Sequence, residues 1–297
     1  MKAVVFGGSG FLGSHVADAL SEAGHDVTVF DIRPSAYLRP DQQMLVGNIL
    51  DPQAVAEGVQ GADYVYNFAG IADLNAAETR PLDTISQNIM GNALVLEAAR
   101  SAGVKRYVYA STIYVYSNSG GFYRCSKQAS ESYIEEYART GGPDFTILRY
   151  GTLYGPRADA CNSIFRYLHQ ALTTGRIEAS GTGDERREYI HVRDAARLSV
   201  DILAPGYINT HITITGLQSH RYRDLLSMVC EILGGEVEVI FNEHSAGAHY
   251  ALTPYSYTPR SGRKLVSPLF TDLGQGLLEC LEEVDGLCRQ EKARKGS

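Results

Sequence analysis

No apolar run in this chain of 297 residues approaches the roughly 18 that read as a membrane-spanning helix. The opening MKAVVFGGSG is also too short an apolar run to read as a signal peptide, so a membrane association is not expected. Basic charge is not in excess: 27 Lys and Arg stand against 34 Asp and Glu, a net charge of −7. That balance argues against a nucleic-acid partner, which calls for a basic face. It leaves room for an anionic small molecule, because a few cations or a helix N-terminus suffice to bind one. There is no C-x-x-C. The five cysteines (Cys125, Cys161, Cys230, Cys280 and Cys288) are odd in number, and the expectation is reduced thiols in a cytoplasmic protein. The histidines lack metal-ligand spacing, and no metal is expected. Repeats and low-complexity tracts are missing as well.

What is present is a hydrophobic content of 44% with 21% charged residues, which fits an ordinary globular enzyme-sized chain. In the first half, short apolar runs alternate with helical patterns. KAVVF (2–6), DVTVF (26–30), ADYVYNF (62–68), RYVYA (106–110) and FTILRY (145–150) read as strands. GFLGSHVADALSEAG reads as a helix closed by Gly24, and NIMGNALVLEAARSAG and FYRCSKQASESYIEEYARTG carry the same periodicity. Strict alternation of this kind predicts α/β architecture: a doubly wound parallel sheet covered on both faces. Beyond about residue 151 the pattern loosens, with more Gly and Pro. A parallel-sheet domain over 1–150 and a smaller, mixed region over 151–297 are therefore expected.

Gly7, Gly10 and Gly13 stand where the first strand turns into the first helix, spaced G-x-x-G-x-x-G. A tight turn there needs unusual φ, a pyrophosphate needs close backbone approach, and the helix N-terminus supplies N–H groups and positive dipole. Asp31 follows the second strand, where a carboxylate binds adenosine ribose hydroxyls and repels a 2′-phosphate. This favours NAD over NADP, with Arg33 two residues on as the counter-indication. Tyr123 and Lys127, in GGFYRCSK, share a helix face at i and i+4. Spacing alone is weak evidence of chemistry, since 19 Tyr and six Lys placed at random give roughly 0.4 such pairs.

The turn GGSGFLG resembles that of the extended short-chain dehydrogenase/reductase superfamily, in its nucleotide-sugar epimerase and dehydratase group. GNILD (47–51) is similar to the adenine-contacting segment of that group, with Asn48 where aspartate is usual. NFAG (67–70), NIMGNALVLEAA (88–99), LRYGTLYGPR (148–157) and GTGDERREYIHVRDAA (181–196) resemble further signatures of the family. The resemblance runs from residue 1 to about 200. It implies cofactor contacts at Gly7, Gly10, Phe11, Leu12, Gly13, Asp31, Asn48, Ile49 and Ala69. Thr112, in YASTIYVYS, is implied as the hydroxyl that completes a catalytic set with Tyr123 and Lys127, the latter two also touching NAD. Ser111 beside it is expected to support the turn.

Two departures stand out: the stretch from Thr112 to Tyr123 is short, with SNSGG in place of a longer segment, and Ser117 replaces a frequent glycine. The resemblance also bears on the reaction. Dehydratases of the group carry Asp-Glu directly after the threonine, and the decarboxylases a Glu at the second of those positions; here they are Ile113 and Tyr114. Epimerisation at C4 of a nucleotide sugar, through a 4-keto intermediate with Tyr123 as acid and base, is left as the leading expectation. A 4-keto-sugar reductase and a non-catalytic dinucleotide-binding module are the alternatives. For the substrate diphosphate the resemblance implies Arg187, with Arg186 as neighbour; Arg260 is a second candidate, with Arg263 as rival, because a guanidinium fork suits phosphate oxygens. Thr152 stands where many members have a nucleotide-binding Asn. His191 is expected to pack structurally, and helices around 84–102 and 122–139 to pair across a homodimer.

Overall fold

The computed structural model describes residues 1–242, 262–266 and 269–295. In chain order its strands are β1 (Lys2–Phe6), β2 (Asp26–Asp31), β3 (Gln42–Val46), β4 (Tyr64–Asn67), β5 (Arg106–Thr112), β6 (Asp144–Tyr150), β7 (Thr152–Tyr154), β8 (Arg176–Ser180), β9 (Arg186–His191), β10 (Thr210–Ile214), β11 (Ser219–Arg221), β12 (Glu238–Asn242) and β13 (Arg263–Leu265). Eight of them form one sheet in the order β3-β2-β1-β4-β5-β6-β10-β13, and every pair in it is parallel. The order reverses between β1 and β4, which makes that point the crevice where ligands of open α/β sheets collect.

The sequence explains the burial. Ala3, Val4, Val5 and Phe6 of β1 are completely enclosed, as a central strand with helices on both faces requires. Phe6 meets Phe30 of β2 at 4.5 Å between ring centroids, and the same core takes in Val65, Tyr107, Tyr109, Ile134 and Ile147. Two of the strand tyrosines satisfy their hydroxyls inside the protein. Tyr66 Oη donates to the Ser199 carbonyl at 2.9 Å, and Tyr107 Oη donates to Asn92 Oδ1 at 2.7 Å while accepting from Asn67 Nδ2.

The chain divides into two compact units. The first holds Met1–Tyr150 and takes in Ala195–Ile214 and β13 as well; the second is built from Gly151–Asp194 and from segments after Thr215. The sequence reading put 151–297 in one region, and of these residues Ala195–Ile214 group with the first unit. β10 pairs in parallel with β6, Thr210 opposite Thr146 and Ile214 opposite Tyr150, and so extends the large sheet. β3, which the sequence reading passed over, pairs with β2 at the other edge.

The second unit is mixed. A three-stranded sheet places β9 between antiparallel β11 and parallel β7, and β8 pairs with β12. Its core gathers Tyr154, Ile164, Leu168, Ile177, Leu225, Val229, Leu277 and Val284. Among the described residues no helix is long and apolar enough to cross a membrane.

Candidate active site

The glycine turn is built for close approach. Gly7 has φ +75° and its N–H donates to the Phe30 carbonyl at 2.8 Å. A Cβ there would lie 2.6 Å from the Ala69 backbone nitrogen, so the loop after β4 runs directly against the turn after β1. A Cβ on Gly13 would strike the Gly7 carbonyl oxygen. Gly10 precedes the helix Phe11–Glu22 with extended backbone, and Phe11, Leu12 and Gly13 form its first turn, whose N–H groups lack intrahelical acceptors. These features fit a dinucleotide pyrophosphate: a cradle that only glycine leaves open, at a helix N-terminus.

Asp31 closes the crevice at the end of β2. Its Oδ2 accepts from the Ser9 N–H at 3.0 Å, and Ser9 Oγ donates to the Arg33 carbonyl at 3.0 Å. The carboxylate is thus tied to the glycine turn, whereas Arg33 is exposed. Asn48 is exposed too, its Oδ1 accepting from the Leu50 N–H at 2.9 Å; Ile49 turns its side chain into the core beside Gly91. Ala69 donates its N–H to Asn67 Oδ1 at 3.1 Å.

Thr112 is the last residue of β5, at the carboxyl edge of the sheet. Its hydroxyl caps the 3-10 turn Ile113–Tyr116 by accepting from the Tyr114 N–H at 3.3 Å. The long helix Gly121–Arg139 then starts after Gly120, which has φ +96° and leaves no room for a Cβ beside the Tyr114 ring. Tyr123 and Lys127 stand on the face that this helix turns to β5. Lys127 Nζ donates to the Ala110 carbonyl at 2.7 Å and lies 4.7 Å from the Tyr109 ring centroid and 5.8 Å from that of Tyr123. The structure therefore brings Thr112, Tyr123 and Lys127 together.

Burial sets the resting charges. It pushes the Tyr123 phenol up to about 12, against a hydrogen bond with Thr112 that works in the opposite direction. It pushes the Lys127 ammonium down to about 8, opposed by the negative charge of Glu131. Tyr123 is accordingly a neutral acid at neutral pH, in a place where added positive charge would favour its phenolate.

Thr152 and Arg187 belong to the second unit. Thr152 opens β7 opposite Tyr189, and Arg187 lies on β9 opposite His220, its Nη1 donating to the Arg186 carbonyl at 3.0 Å. The charges of Arg166 and Arg187 act against the burial that raises the Tyr167 phenol, so a cationic corner exists there. His191 is buried, edge-on to the Tyr154 ring and 3.5 Å from Glu279, in keeping with a packing role. Arg260 lies outside the described residues.

Sequence reasoning passed over two groups. Asn88, in a π-helical turn (Ile85–Met90), accepts from the Ile71 N–H at 2.7 Å and donates to Ser126 Oγ at 2.9 Å, joining the loop after β4 to the helix Gly121–Arg139. The ion pair Glu131–Arg149 sits beside Ser111, whose hydroxyl donates to Glu131 Oε1. Its signal was the helix stripe Tyr123, Lys127, Glu131 at four-residue spacing.

Comparison with known proteins agrees with this fold. The family model described as "NAD dependent epimerase/dehydratase family" matches residues 3–214. A UDP-N-acetyl-alpha-D-glucosaminuronate decarboxylase of Bacillus cytotoxicus is 29% identical over 227 residues, covering 67% of this chain and 70% of its own length. A dTDP-glucose 4,6-dehydratase of Mycolicibacterium smegmatis is 26% identical and covers 95% and 92%. The solved UDP-glucuronic acid 4-epimerase of Bacillus cereus, in complex with UDP-glucuronic acid and NAD, superposes with a TM-score of 0.84 at 23% identity, over 97% of this chain and all of its own. With the crevice, the glycine cradle and Asp31 in place to take NAD, the chain belongs to the NAD-dependent epimerase/dehydratase family, of the extended short-chain dehydrogenase/reductase type.

Proposed function

We propose that the chain is a nucleotide-sugar epimerase that inverts C4 through a 4-keto intermediate. The observation that carries this reading is the company Thr112 keeps. Tyr123 and Lys127 are both at hand, yet the two positions after Thr112 hold Ile113, buried in the core, and Tyr114, whose ring stands edge-on to Tyr123 with centroids 6.3 Å apart. Neither supplies the carboxylate that elimination of water or loss of carbon dioxide calls for in the resembling enzymes.

NAD, when bound, supplies the hydride acceptor and donor. Gly7, Gly10 and Gly13 with the first helical turn would hold its pyrophosphate, and Asp31 its adenosine ribose. Tyr123 Oη takes the proton of the sugar 4-hydroxyl and later returns one to the new alcohol. Thr112 hydrogen-bonds the reacting oxygen, and the Lys127 ammonium lowers the cost of the phenolate. Arg187 takes the diphosphate, where a guanidinium fork matches phosphate oxygens. A homodimer through the helices spanning 81–101 and 121–139 goes with this reading, which draws support from exposed Leu82, Ile85, Met90, Phe122 and Tyr133 on them.

The test is incubation of the purified protein, without added cofactor, with a panel of nucleotide sugars, products being resolved by chromatography and mass spectrometry. A new peak of unchanged mass is expected. Loss of water or carbon dioxide would overturn the assignment. Turnover only of a 4-keto sugar with added NADH or NADPH would make the protein a reductase.

A further inference from the structure

We propose that Ser111, Glu131, Arg149 and Tyr116 form a buried clamp that holds Thr112 in register with Tyr123, and that these four are positioning residues for the reaction. The proposal rests on the reading of Thr112 and Tyr123 as a reacting pair.

Glu131 and Arg149 are 1% and 2% exposed, the most enclosed ion pair among the described residues. Two bonds join them: Arg149 Nε donates to Glu131 Oε1 at 3.0 Å and Nη2 to Oε2 at 2.8 Å. Each partner also bonds a residue close to Thr112 in the chain, one before it and one after it. Glu131 Oε1 accepts from Ser111 Oγ at 2.5 Å, immediately before Thr112 in the chain. Arg149 Nη1 donates to Tyr116 Oη at 2.7 Å, at the end of the turn that Thr112 caps, and Tyr116 Oη meets Thr213 Oγ1 of β10 at 3.2 Å. The guanidinium lies 4.7 Å from the centroid of the Tyr116 ring.

Helix Gly121–Arg139 therefore grips the end of β5 at two successive residues. Lys127 holds the Ala110 carbonyl and Glu131, one turn later, holds the Ser111 hydroxyl. Tyr123, one turn earlier, is left facing Thr112, with which it hydrogen-bonds. A helix and a strand packed through apolar side chains alone retain freedom to slide by fractions of an ångström. Directional bonds from three turns of one helix to one strand end remove that freedom.

Stability alone does not account for such a pair. Desolvating two charges costs several kcal/mol per ion, and well-packed apolar residues of similar volume often serve a core as well or better. Reacting groups, in contrast, have to be held to about 0.5 Å by side chains whose own geometry is locked.

The experiment reads Tyr123 directly and needs no sugar, so a failed epimerase assignment leaves its result standing. Protein labelled with [13Cζ]tyrosine and saturated with NAD is titrated by NMR, the Tyr123 resonance being identified by its loss in Tyr123→Phe. In Ser111→Ala the ion pair stays intact while the tether to the residue before Thr112 is gone. The expected result is an ionisation constant of Tyr123 about 3- to 10-fold smaller, with the wild-type value restored in Ser111→Thr. Should Ser111→Ala fail to fold, Tyr116→Phe removes the other tether and is read in the same way. Ile134→Val, which trims the same helix on its apolar face, serves as the control. A titration unchanged from wild type in the folded tether variant, or an equal change in Ile134→Val, would overturn the proposal.

Discussion

At the residue scale, burial keeps the Tyr123 phenol neutral at neutral pH, whereas Lys127, its pKa pushed down to about 8, still carries its charge there beside the phenol. Removing the phenol in Tyr123→Phe deletes the proton-transferring group, so conversion of the accepted nucleotide sugar should fall by about 10² to 10⁴-fold. NAD affinity, measured by calorimetry, should stay within a few-fold. Lys127 makes a prediction about stability. Its folded-state pKa of about 8 lies below its ordinary 10.5, so the folded protein prefers the neutral amine. The stabilisation that this preference contributes is fully present above about pH 10.5 and is lost as pH falls through about 8. In NAD-free protein, urea denaturation of wild type against Lys127→Met should therefore shift in favour of wild type between pH 8 and 10.5. The full span is on the order of 3 kcal/mol, taken as an upper bound. An unchanged difference across that window would mean that Lys127 is not desolvated.

At the scale of single elements, the β1–helix turn is the feature most exposed to substitution. A methyl on Gly13 meets the Gly7 carbonyl oxygen, which forces the turn to open. Gly13→Ala should weaken NAD binding by roughly tenfold or more, with little loss of secondary structure by circular dichroism. Asp31→Asn removes the charge that repels a 2′-phosphate, so the preference for NAD over NADP should narrow in a fluorescence titration. These local features were legible because each is a property of adjacent residues. Gly7 to Gly13, the apolar run of β1 and Asp31 after β2 need no knowledge of distant chain. The stripe Tyr123–Lys127 was legible in the same way, and β5 supplied the threonine. Glu131 and Arg149 were not, because 18 positions separate them and neither looks unlike a surface residue until β6 packs under the helix.

At the scale of the whole molecule, NAD should act as a stabilising ligand. At a concentration 100 times its Kd it should add about 2.7 kcal/mol, visible as a higher melting temperature. Sedimentation analysis should find a homodimer that Met90→Glu or Tyr133→Glu converts to monomer, since both side chains are exposed on helices whose other faces are already packed. A monomeric wild type would remove the dimer from the proposal.

The sequence by itself determined the parallel sheet, its glycine turn, the acidic residue after β2 and the helix face that carries Tyr123 and Lys127. Each follows from local sterics or from a periodicity of two or 3.6 residues, which are written into neighbouring positions. Tertiary structure alone decided that THITI would leave the second half of the chain and extend the first sheet as β10 beside β6, and that QQMLV would close its opposite edge as β3. It also decided that Glu131 and Arg149 would meet beside Ser111. Strand pairing and buried ion pairs are formed between distant stretches of chain. Their partners are chosen by which surfaces the finished core leaves adjacent, and that choice has no local imprint.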